Sequence, residues 1–180
     1  MNKFRVPFEK PEPNFSEFRD VILGKKPARR VHFAELFPDI EIIWYITENI
    51  LGDKVIHYPQ DDFQGFWRQQ INFWYRMGYD YIRVSGGLGF AEQKRRVAED
   101  TAILPRGQRN WIEESVGIIT SWKDFEEYPW PKSESFDYSN YEFVLKNLPE
   151  GMKMLVCPSS GVFEISSESL LGFEGMSYLL

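Results

Sequence analysis

Three short apolar runs set apart by helix-patterned stretches constrain this chain more than any other feature. The runs are Arg30-Val31-His32-Phe33-Ala34-Glu35-Leu36, the stretch 79–84, and Met152-Lys153-Met154-Leu155-Val156-Cys157. Each has strand length and is bounded by glycine or proline. The intervening segments carry apolar residues at helical spacing. Asn14 caps a first helix with Phe15, Phe18, Val21 and Ile22 on one face, and Gly24 stops it. Pro38-Asp39 opens a second, with Ile40, Ile43, Trp44 and Ile46, closed by Gly52. A third spans 62–77 and stops at Gly78. Ser121 caps a short helix over 122–127, another covers 137–147, and residues from 163 to 180 read as helical with a break at Gly172. Strands separated by helices pair in parallel through right-handed crossovers.

Residues 96–117 depart from that alternation. Two polar-rich strands around Pro105-Arg106-Gly107-Gln108 predict an exposed β-hairpin inserted after the second strand. Residues 1–13, with three prolines and no periodicity, read as an irregular arm, so the domain is expected over 14–180. Three parallel strands cannot close a barrel, which needs about eight. The apolar end at Leu180 therefore predicts the N-terminal piece of a longer chain. The alternative is a small open α/β sheet that covers its edge by forming a homodimer.

Composition excludes some partners. The net charge of -6 comes with no basic stripe, which argues against nucleic acid. The basic stretches 25–30 and 94–96 read as solvated ends. No apolar run approaches the ~20 residues of a membrane span, and the N-terminus lacks the apolar core of a signal peptide. One cysteine forbids an intrachain disulfide and fits a reducing cytoplasm. Aromatic residues reach 17%, a bulk that suits a core or a site for a large flat ligand.

Several segments resemble the uroporphyrinogen decarboxylase and cobamide methyltransferase superfamily, in its divergent branch. They are FSEFRDVILGKKPARRVHFAE (15–35), FWYRMGYDYIRV, SWKDFEEYPWP and LPEGMKMLVCPSSGVFEISSESLLGFEGMSYLL. The resemblance covers about residues 15–180. It implies the N-terminal part of a TIM (β/α)8 barrel: the first three strands and their helices, with the inserted hairpin. The site would lie at the carboxyl ends of the strands. It also implies one of two activities, methyl transfer between a corrinoid protein and a thiol using zinc, or decarboxylation of a tetrapyrrole in porphyrin biosynthesis. The decarboxylases carry an arginine-rich loop after the first strand. Here that place reads Glu35-Leu36-Phe37-Pro38-Asp39, which is acidic and would repel a polycarboxylate. Corrinoid-dependent methyl transfer by the full-length protein is therefore the expectation. Decarboxylation is the alternative, and a non-catalytic truncated binding module the second. The partner would be a corrinoid protein or a tetrapyrrole. No metal ligands are expected in this chain: His32, His57 and Cys157 show no ligand spacing, and zinc would belong to residues beyond Leu180.

Two residues stand out for chemistry. Glu35 is placed at the carboxyl end of the first strand; its plain role would be to cap the next helix. Arg83 lies inside an apolar strand, where a guanidinium needs a partner, and Glu35 is the natural choice. For substrate binding, Ser85, Gly86 and Gly87 form a small-residue loop that lets a backbone approach a ligand, or a plain turn. Ser159, Ser160 and Gly161 precede a helix and offer its N–H groups to an anion, or simply cap it. His32 and Cys157 read as packed residues, the aromatic stripe through Phe66, Trp67, Phe73, Trp74 and Tyr75 as core, and Tyr128-Pro129-Trp130-Pro131 as a rigid brace.

Overall fold

The computed structural model describes residues 6–90, 95–99, 101, 108–113, 115 and 117–179. The chain is mixed α/β and divides into two compact units. Residues 1–84 and 138–156 form the first; 85–137 and 157–180 form the second.

The first unit holds helices α1 (Phe15–Ile22), α2 (Ile40–Ile46, continued by a π turn over Thr47–Leu51), α3 (Phe63–Arg76) and α5 (Ser139–Asn147). Capping residues set the starts of α1 and α3. The Asn14 side chain accepts from Glu17 N, and the Asp62 side chain from Gly65 N. Left-handed glycines at 24, 52 and 78 end the helical stretches. Trp67, Ile71, Phe73 and Trp74 of α3 are buried, so the aromatic stripe is core, together with Tyr141 and Val144 of α5.

Strand β1 (Tyr81–Ser85) pairs with β4 (Lys153–Cys157). Lys153 N donates to Asp80 O at 3.2 Å, joining the two starts, so the strands run parallel. Phe33 makes a parallel bridge to Tyr79. Ile82 and Val84 are fully enclosed.

The strand expected over 30–36 is reduced to that single bridge. A side chain replaces the ladder. The Tyr81 hydroxyl accepts from Glu35 N at 2.9 Å and donates to Glu35 O at 2.8 Å. Arg30 and His32 are drawn to Asp80.

The second unit contains an antiparallel ribbon of β2 (Arg95–Glu99) and β3 (Gln108–Ile112), with Val97 opposite Asn110. All five residues of β2 are exposed, as the polar pattern predicts. The expected turn at 105–107 and the flanks 102–104, 114 and 116 lie outside the described residues, as do 1–5, Lys94 and Leu180. Helix α4 (Trp122–Glu127) starts at Ser121, whose hydroxyl accepts from Asp124 N. Helix α6 (Val162–Glu164) continues as a π turn over Ile165–Leu170, Gly172 breaks it, and α7 (Phe173–Leu179) follows. Ile119, Tyr128 and Leu170 form this unit's core. Among the described residues no barrel closes, and no helix is long and apolar enough to cross a membrane.

Candidate functional site

In the first unit, Tyr81 and Arg83 alternate with the buried Ile82 and Val84 and share one face of β1. The Arg83 guanidinium carbon stands 5.6 Å from the centre of the Phe37 ring, a cation–π approach. Arg83 is thereby set against the acidic segment that follows Phe33. Glu35 is exposed. Its Oε1 accepts from Leu36 N at 3.0 Å, while the Tyr81 hydroxyl grips its backbone. Its charge reaches the neighbouring phenol. Burial is the main cause that raises the Tyr79 hydroxyl above its ordinary pKa, and Glu35 adds to it. The structure thus gathers residues 35–37 and Arg83 around Tyr81.

In the second unit the exit loops of β1 and β4 lie side by side. Gly86 N donates to Cys157 O at 3.1 Å and Leu88 N to Pro158 O at 3.4 Å. Ser85 is exposed. Gly86 and Gly87 have φ of +97° and +99°, a backbone region that favours glycine. A Cβ at Gly87 would lie 2.7 Å from the Phe136 ring, whereas one at Gly86 would meet nothing. Gly87 is therefore fixed by packing, and Gly86 leaves open space beside the backbone. Ser159 folds onto Ser160, Oγ to carbonyl O at 3.1 Å. Gly161, not a serine, precedes the helical residues, with no side-chain cap. Glu164 bends back over it: a Cβ at Gly161 would lie 2.3 Å from Glu164 Oε2. A carboxylate of the chain itself thus occupies space beside this turn.

The most heavily bonded polar residue of the first unit was missed by sequence reasoning. Asp80 is fully buried just ahead of β1. Its Oδ1 accepts from Arg30 Nη2 and from Asn14 N at 2.6 Å; its Oδ2 lies 2.6 Å from His32 Nδ1. The stretch 25–30 is largely exposed, as expected of a solvated end, but its cations are paired: Lys26 with Asp20, Arg29 with Glu17 and Arg30 with Asp80. The available signal was an acid at the head of an apolar strand, which demands a cationic partner. His32 is packed, as predicted, with its side chain 5% exposed.

Among the described residues no group of three His, Cys, Asp or Glu is placed to hold a metal ion. His57 packs edge-on to Trp44, with centroids 4.5 Å apart. Cys157 is half-buried in β4. No protein-family model, curated protein or solved structure matches this chain.

Proposed function

We propose that this chain supplies the opening strands and helices of a (β/α) barrel of the uroporphyrinogen decarboxylase and cobamide methyltransferase superfamily, and that the full-length protein carries out corrinoid-dependent methyl transfer. The observation that supports the reading is parallel pairing across helical intervals. Strands β1 and β4 pair in parallel, Phe33 bridges Tyr79 in parallel just ahead of β1, and helices fill each interval.

In the first unit, Glu35 and Arg83 suit a macrocycle with polar arms. Arg83 donates to a carboxylate or amide oxygen of an arm. Glu35 accepts an amide N–H, which favours an amidated corrinoid over a polycarboxylate. In the second unit, taken by itself, Gly86 leaves its backbone approachable, and Ser85, Gly87, Ser159, Ser160 and Gly161 are the other residues proposed for substrate binding. The zinc that activates a thiol in such transfers needs nitrogen or sulfur ligands. The described residues offer no such group. The single cysteine fits the cytoplasmic setting of this reading.

Titrating the protein with methylcobalamin, with uroporphyrin as the comparison, tests the reading through tryptophan fluorescence and the visible spectrum. Saturable cobalamin binding, weakened about tenfold or about 1.4 kcal/mol by Arg83→Ala, is the expected result. Methyl loss to a thiol is then sought in the full-length gene product. Preference for uroporphyrin would move the reading to decarboxylation. Binding of neither macrocycle would end it.

A further inference from the structure

A cavity of about 450 Å³ opens in the first unit beside the residues that lead into β1 and β4. Its size is that of small-ligand pockets, ~300–1,000 Å³. Its residues are not those proposed for corrinoid chemistry, so the two readings fail independently.

Residues 8–14 build one wall, and that wall is fixed. Phe8 N donates to Arg76 O at 2.7 Å, the Tyr75 hydroxyl donates to Pro11 O at 3.2 Å, and Phe15 N donates to Gly151 O at 3.0 Å. The Phe8 ring occupies the space that a side chain at 78 would need. A Cβ there would lie 2.4 Å from Phe8 Cε2, and φ at Gly78 is +87°. Phe8, Pro11 and Pro13 thus give the cavity an apolar side.

Its polar side carries both signs of charge. Arg30 is oriented by Asp80 and touches Glu12 O at 3.5 Å, both through Nη2. Its Nε and Nη1 make no bond among the described residues. The same is true of the Lys10 ammonium and the Glu12 carboxylate. Glu17, the other charged lining residue, is held by Arg29 Nε at 3.0 Å. A purely anionic ligand would satisfy Lys10 and Arg30 but be repelled by Glu12. A purely cationic one would have the opposite fault. A molecule with a carboxylate and an ammonium satisfies both.

We propose that this cavity binds a zwitterionic small molecule of the amino-acid class with an apolar side chain. Its carboxylate lies on Arg30 and Lys10, its ammonium on Glu12, and its body against Phe8 and the two prolines.

The test is calorimetric titration with L-phenylalanine, phenethylamine and 3-phenylpropionate at low ionic strength. Phenylalanine saturates the site, and each analogue lacking one charge binds at least about tenfold more weakly, as expected where a polar group of the site is left unpaired. Lys10→Ala weakens phenylalanine and phenylpropionate several-fold and strengthens phenethylamine by relieving its repulsion. Glu12→Gln weakens phenylalanine and phenethylamine and strengthens phenylpropionate in the same way. Both side chains are on exposed residues without described partners, so both variants retain the fold, which circular dichroism verifies. Arg30 is left intact because its loss would strand Asp80. No saturation by phenylalanine, equal binding of either analogue, or indifference to both variants overturns the proposal.

Discussion

The two units bury different chemistry. The first encloses Asp80 completely and surrounds it with Arg30, His32 and the Asn14 amide. The second closes on Ile119, Tyr128 and Leu170, backed by Phe90, Ile165 and Leu171. Apolar contact is tolerant of small rearrangements, whereas a buried carboxylate accepts only donors at the right place and angle. The first unit is therefore specified by geometry and the second by volume. The difference is sharpest in how each should fail.

Removing the hub gives the largest effect. Asp80→Ala leaves a guanidinium, an imidazole and a backbone N–H without their shared acceptor. Arg30 is partly exposed and rehydrates, but the other donors stay enclosed, and at about 1–3 kcal/mol for each buried donor left unsatisfied we expect a loss of about 3 kcal/mol or more, read by urea unfolding. A loss below about 1 kcal/mol would mean the site rehydrates, and the contrast between the units would collapse.

A change of volume should hurt the second unit less, and locally. A Cβ at Gly117 would lie 2.0 Å from the Leu171 backbone carbon. Gly117→Ala should cost about 1–3 kcal/mol, as overpacking does. Its mark is faster amide exchange at Ile119, whose N–H donates to Leu170 O at 2.9 Å. Unchanged exchange there would show that this core does not depend on the 117–171 contact.

Acid gives the smallest effect and divides the units by salt. The Glu17 carboxyl is held below its usual range chiefly by its hydrogen bond from Arg29. Asp124 is held low first by the Thr120 N–H, then by the hydroxyls of Thr120 and Ser121. A carboxylate with a lowered pKa stabilises the fold above its ordinary value, and that contribution disappears as pH falls through the lowered one. Both units should therefore weaken progressively below the ordinary carboxylate range of about pH 4. Added salt should blunt the Glu17 contribution and leave that of Asp124 nearly untouched, because only the first involves an opposite charge. Residue-resolved NMR titration with and without salt measures this; equal salt sensitivity would contradict it.

Helix caps and periodic faces were legible because they are local. Asn14 and Ser121 act as the sequence indicates, and the parallel pairing follows from the intervals between strands. The polar hub was not legible, because Asp80 meets residues far from it in sequence, and no pattern of spacing joins Asn14, Arg30 and His32 to it. The run 30–36 misled for a related reason. Its composition suits a strand, but a distant tyrosine takes the backbone groups a ladder would use. At Gly161 a glycine and a returning glutamate stand where a serine cap was one of the expectations.

The Tyr81 hydroxyl, in donating a hydrogen bond to one carbonyl and accepting one from the N–H of the same residue, works as a peg. It admits a single alignment of the passing chain, because a shift by one position would present backbone groups facing the other way. An insertion or deletion between Phe33 and Glu35 would therefore be felt at Tyr81, and through it along the face of β1 that bears Arg83.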